Sequence, residues 1–143
     1  MKKYILLPII ALSVLSCSKS VSKQDLTNLN GFWEISKVET QDGEEVDYKI
    51  NLTVDNFQLD TISLNSGTRK KGMPQLDGTY LTNDIIENFS VTDSAGIIKL
   101  NYKTNYANWS EQVLKITPNE FVVKNQNDVT YFYKRFEGIN INK

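Results

Sequence analysis

Asp93-Ser94-Ala95-Gly96-Ile97-Ile98-Lys99-Leu100-Asn101-Tyr102-Lys103-Thr104 is the stretch whose reading decides the fold. Ile98, Leu100 and Tyr102 alternate with Lys99, Asn101 and Lys103. In an extended chain that alternation puts the apolar residues on one face and the polar ones on the other. The four residues before it tolerate the dihedrals of a tight turn. A strand with one wet face, entered from a short turn, predicts an antiparallel sheet.

The same unit repeats on both sides. Candidate strands are Phe32 to Thr40, Val46 to Val54, Phe57 to Leu64, Gly78 to Leu81, Ile85 to Val91, Ile97 to Thr104, Trp109 to Ile116, Phe121 to Lys124 and Val129 to Phe136. Asp42-Gly43, Asp55-Asn56, Pro118-Asn119 and Asn125-Gln126-Asn127-Asp128 supply turns between them. From Asn30 onward no window keeps apolar residues at helical spacing over several turns. Many short strands on short links predict a sandwich or an up-and-down barrel. Asn65 to Asp77, with two glycines, a proline and the triplet Arg69-Lys70-Lys71, reads as a long loop.

The N-terminus reads differently. Lys2-Lys3 precede an apolar stretch from Tyr4 to Leu15 that is short for a membrane-spanning helix, so residues 1–16 read as a signal peptide. Val14-Leu15-Ser16-Cys17 ends it and resembles the lipobox of bacterial lipoproteins. That resemblance implies cleavage before Cys17 and lipid on its sulfur and amino group, with enough acyl chains for stable anchoring. Ser18 in place of an aspartate implies the outer membrane, so the expected location is the cell envelope, periplasmic or surface-facing. Residues 17–28 then form the lipidated cysteine and a flexible tether, with a short helical turn possible over Asp25 to Leu29. Residues 29–143 form the domain.

A chain of 143 residues suits one domain, large enough to bury a core without disulfides or metals. It has no histidine and one cysteine. That removes Ser/His/Asp and Cys/His catalysis and the common zinc and haem ligand sets. No catalytic constellation, cofactor motif or metal-ligand spacing appears, and the sequence reads as that of a non-enzyme. The acidic group Glu39, Asp42, Glu44, Glu45 and Asp47 fits no EF-hand spacing. A net charge of −1, with scattered basic residues, argues against a nucleic-acid partner.

Leu29-Asn30-Gly31-Phe32-Trp33 at the head of the first strand resembles the Gly-x-Trp signature that opens lipocalins and the lipocalin-like domains of small bacterial lipoproteins. Trp109 to Phe136 is similar to the closing strands of the same bacterial family. The resemblance implies a single antiparallel up-and-down β-barrel of about eight strands. It also implies that Gly31 and Trp33 sit at the closed end, with a basic side chain of the last strand, Arg135 or Lys134, lying across the tryptophan.

The function implied is that of a membrane-anchored barrel holding a small hydrophobic or amphiphilic ligand. Arg69, Lys70, Lys71 and Met73 then form a basic portal for an anionic head group, and Tyr102, Tyr131 and Tyr133, with Tyr106 and Trp109, line the interior. The alternative is an interaction module, such as an accessory subunit of an outer-membrane complex or an inhibitor. Interior volume discriminates between the two: a connected cavity favours a ligand, and a filled barrel favours an envelope protein partner.

Overall fold

A computed structural model describes residues 19–139 of the chain. The signal segment 1–16 and Cys17 lie outside the described residues. The first ordered element is a 3-10 helix, Lys23–Asn28, started by a capping box. The Asp25 carboxylate accepts from the Ser22 amide at 2.9 Å, and the Ser22 hydroxyl accepts from the Asp25 amide at 3.3 Å. Leu26 and Leu29 are wholly buried. Residues 23–28, expected as the end of a flexible tether, are instead a capped 3-10 helix held to the core by Leu26.

Ten strands follow: β1 (Gly31–Glu39), β2 (Glu45–Asp47), β3 (Val54–Leu59), β4 (Ser66–Pro74), β5 (Tyr80–Thr82), β6 (Glu87–Ser94), β7 (Ile97–Lys103), β8 (Asn108–Ile116), β9 (Glu120–Asn125) and β10 (Thr130–Arg135). All neighbours are antiparallel. β2 pairs with the second half of β1 and β3 with the first half, so β2 and β3 together make one interrupted stave. β5 and β6 divide β4 in the same way. Counted as staves, the sheet is an eight-stranded up-and-down meander. It closes on itself where β10 pairs with β1, from Trp33 opposite Arg135 to Glu39 opposite Thr130.

The strand β4 corrects the loop expected over Asn65 to Asp77. Glycine and a basic run are ordinary loop signals, but here they meet the needs of the wall. A Cβ on Gly67 would stand 2.4 Å from the Phe89 ring and 2.6 Å from the Gln58 carbonyl oxygen. Only glycine lets the two neighbouring strands approach so closely. Two other strands are shorter than their sequences suggest. Val46 to Val54 breaks after Asp47, where Asn51 turns its side-chain amide to the Ile35 carbonyl at 2.6 Å in place of a ladder bond. Phe57 to Leu64 stops at Leu59, because the Asp60 carboxylate accepts from the Ile62 amide (3.0 Å) and the Ser63 hydroxyl (2.7 Å) and so makes a turn.

Inward side chains fill the lower half of the barrel. Trp33 and Phe121 pack with ring centroids 5.6 Å apart, and Phe57 and Tyr133 each lie within 6.4 Å of Phe121 or of one another. Ile98, Leu100, Phe89 and Val123 complete this layer. The Trp33 indole donates to the Leu29 carbonyl at 2.7 Å, which fixes the 3-10 helix as a floor. Replacing Trp33 by alanine removes the largest side chain of a sealed layer, and chemical denaturation should show a loss of about 3–5 kcal/mol.

Candidate functional site

Arg135 closes the base. Its guanidinium lies 3.8 Å from the centroid of the Trp33 ring and donates three bonds, to the carbonyls of Pro118 (2.9 Å), Asn30 (2.8 Å) and Asn28 (2.7 Å). One side chain thus joins the β8–β9 turn, the entry to β1 and the end of the 3-10 helix. Gly31 has φ +116°, and a Cβ there would stand 2.9 Å from the Arg135 guanidinium. Lys134 instead faces outward and pairs with Glu34 at 3.1 Å. The fold is a closed, eight-stranded, antiparallel up-and-down β-barrel with its base sealed by Arg135 and Trp33.

A crystal structure of a lipocalin-like protein from Bacteroides uniformis is similar over 76% of this chain and 99% of its own, at 13% identity and a TM-score of 0.48. A de novo designed fluorescence-activating β-barrel is similar over 79% of this chain and 98% of its own, at 14% identity and a TM-score of 0.46. No family model and no curated protein matches the sequence.

Above the aromatic layer the interior opens into a chamber of about 300 Å³. Ile35, Trp109, Tyr131 and Tyr133 form its apolar walls, Arg69, Lys71 and Glu111 supply charge, and the amides of Asn125 to Asn127 stand at its rim. Its polar groups come from alternate inward positions on facing strands. In β4 this parity carries Arg69 and Lys71 inside, while Lys70 falls on the other face of the strand opposite Asn56. The pleat thus divides the basic triplet, with Arg69 and Lys71 at the chamber and Lys70 on the opposite face of the strand. Met73, half-exposed, pairs with Leu81 on the β4–β5 hairpin, away from the chamber lining.

Arg69 is 6% exposed. Its Nε donates to Glu87 at 2.5 Å, its Nη1 lies 3.5 Å from Glu111 Oε1, and its guanidinium sits 4.4 Å from the Tyr102 ring centroid. Although burial opposes its charge, the surrounding phenols and carboxylates outweigh that cost and raise its pKa. Below it, Asp55 is 4% exposed and accepts from Lys71 at 2.8 Å and from the Tyr133 hydroxyl at 3.1 Å. Glu111, 6% exposed, has its pKa raised by burial, against the pull of Arg69 and the polar groups of Trp109 and Tyr102. Tyr102 and Tyr133 are pushed well above the ordinary phenol range by burial, so both hold their protons. Two buried polar atoms, Glu111 Oε2 and the Tyr102 hydroxyl, have no hydrogen-bond partner among the described residues.

Of the aromatic residues expected inside, Tyr131 and Tyr133 line the chamber. Tyr102 lies in the wall behind it, stacked on Trp109 with centroids 4.9 Å apart. Tyr106 stands 95% exposed on the β7–β8 turn. The acidic members Asp55, Glu87 and Glu111 were not among the sequence candidates. Their signal is phase alone: Asp55 shares parity with Phe57 and Leu59, Glu87 with Phe89 and Val91, and Glu111 with Trp109 and Val113. An acid in register with buried apolar residues faces a core unless the strand is bulged.

Removing Arg69 leaves Glu87 and Glu111 without their cation, and breaking a buried pair in this way costs about 3–5 kcal/mol. Arg69→Met should lose about that much at pH 7. As pH falls, Glu111, whose pKa burial already raises, takes up a proton before an exposed carboxylate would, and the penalty of burying its charge fades. The stability gap from the native protein, followed by urea unfolding between pH 7 and pH 5, should narrow.

Proposed function

We propose that this protein is a lipid-anchored, non-catalytic binding protein that holds a small amphiphilic ligand in the upper chamber of its barrel. The observation that carries this reading is the division of the interior. The lower half is packed solid, whereas the upper half keeps about 300 Å³ bounded by aromatic walls and charged groups already held in place. That volume is at the lower end for small-molecule sites, and a mixed apolar and polar lining suits a ligand with one polar end. Side chains fixed by Glu87, Asp55 and the barrel wall lose little freedom on binding. Anchoring through Cys17 is part of the proposal and rests on the lipobox resemblance. With the 3-10 helix as the floor, an anchor before residue 19 would join the barrel from its closed end.

A second reading has its own support. Ile50, Leu52, Leu76, Leu81 and Tyr106 are 63–95% exposed, on the segments after β2 and around the β4–β5 and β7–β8 turns. Exposed aliphatic residues in such number suit contact with an envelope protein.

Two experiments test the first reading. Cys17→Ala should leave the protein unlipidated and release it from membranes; unchanged mass and unchanged detergent partitioning would refute the anchor. Full-length protein in nanodiscs, titrated with alcohols, amines and fatty acids of six to ten carbons, should show a change in tryptophan emission that disappears in Trp109→Phe, since Trp33 lies outside the chamber. If nothing binds below about millimolar, worth only some 4 kcal/mol, the ligand reading fails and the interaction module replaces it.

A further inference from the structure

We infer that the polar end of the chamber ligand is an organic cation, a protonated amine, received by Glu111. The inference rests on the chamber being a ligand site, and it reverses the anionic head group that the basic triplet suggests in the sequence.

The argument is one of pairing. Lys71 is held by Asp55 at 2.8 Å and Arg69 by Glu87 at 2.5 Å, so each cation of the chamber already has a carboxylate of its own. Glu111 is the third carboxylate and has only a share in Arg69, which it divides with Glu87. Arg69 Nη1 comes only to 3.5 Å of its Oε1, beyond a good charge-assisted bond, and its Oε2 has no hydrogen-bond partner among the described residues. Glu111 is 6% exposed as a residue and is one of the groups that line the chamber. A buried acceptor left unmade is costly, and a donor arriving with positive charge repays the most.

The walls agree with that charge. Trp109 and Tyr131 line the same space, and the faces of aromatic rings attract an ammonium group. An incoming carboxylate would instead meet a cluster in which Asp55, Glu87 and Glu111 outnumber Arg69 and Lys71.

The charged and titratable groups around Glu111 come from every facing strand: Arg69 and Lys71 on β4, Asp55 on β3, Glu87 on β6, Tyr102 on β7 and Tyr133 on β10. Both tyrosines stay protonated, and Arg69 stays charged. Glu111 is the member whose ionisation moves toward neutral pH, so amine binding should weaken as pH falls through its raised titration.

Three probes with one body and three heads test this: 3-phenylpropylamine, 3-phenylpropanol and 3-phenylpropionate. Each is titrated by calorimetry into the full-length protein in nanodiscs of zwitterionic lipid, with empty discs subtracted. At pH 7.5 the amine should bind at least tenfold more tightly than the alcohol, and the carboxylate more weakly than both. Lowering the pH to 5 should reduce amine affinity several-fold while the alcohol holds steady. Glu111→Gln should erase at least tenfold of the amine-to-carboxylate preference. The pH series on the native protein gives the same answer if that variant does not fold. A carboxylate that binds as well as the amine, or an amine affinity indifferent to pH, overturns the cation and leaves the ligand site standing. Failure of all three probes, the alcohol included, overturns the site itself and the cation with it.

Discussion

Pairing of β10 with β1 is the constraint on which the rest of the molecule depends. An open sheet of these strands would have two faces and two free edges. Closing it removes both edges and converts one face into an interior of fixed width, barely larger than the side chains of eight strands can fill. Every inward residue then competes for the same space. Trp33, Phe57, Phe121 and Tyr133 occupy the lower part, and Arg135 stops it at the base by tying three carbonyls from three segments. What remains above them is small, and its character is set by whichever side chains the pleat sends inward.

That explains how a charged cluster exists inside a domain of this size. Asp55, Arg69 and Glu111 are buried in an aromatic-lined barrel and would be untenable singly, since each loses its hydration, while Glu87 and the half-exposed Lys71 complete the cluster from its edge. They persist because they neutralise one another within hydrogen-bonding reach and because Tyr133, Tyr102 and the indole of Trp109 surround them with oriented dipoles. Replacing such a network with well-packed apolar residues is often neutral or stabilising, so its presence is weak support for stability and more telling as a site. The polar groups are set before any ligand arrives, which is what a receptor of modest volume requires.

The architecture was legible in the sequence where a strand obeyed one rule at a time. β7 alternates cleanly and β10 is apolar on both faces, and both were recovered. The Gly-x-Trp segment stood at the head of β1, and the structure places Arg135 over its tryptophan. β4 was missed because its residues serve a local purpose that resembles a loop: Gly67 clears the Phe89 ring, and Arg69 and Lys71 are inward only because β3 and β6 fix the strand's register. Nothing in Ser66 to Pro74 read alone reveals that register. The acids were equally silent, since Asp55, Glu87 and Glu111 are isolated in sequence and become a cluster only when the barrel closes.

The two interrupted staves have a consequence for how the barrel moves. Both breaks, residues 48–53 between β2 and β3 and residues 83–86 between β5 and β6, fall in the upper half of the wall. The lower half keeps all its staves paired, with one bulge in β8 between Val113 and Lys115, and is backed by the aromatic layer. Amide hydrogens there should open to solvent only with the whole molecule, whereas those flanking the breaks sit on short ladders that fray at small cost. One side is mended by Asn51 reaching to the Ile35 carbonyl. The barrel is thus a rigid cup with a compliant rim. Those seams are where the wall yields first, without disturbing the base that holds the fold together.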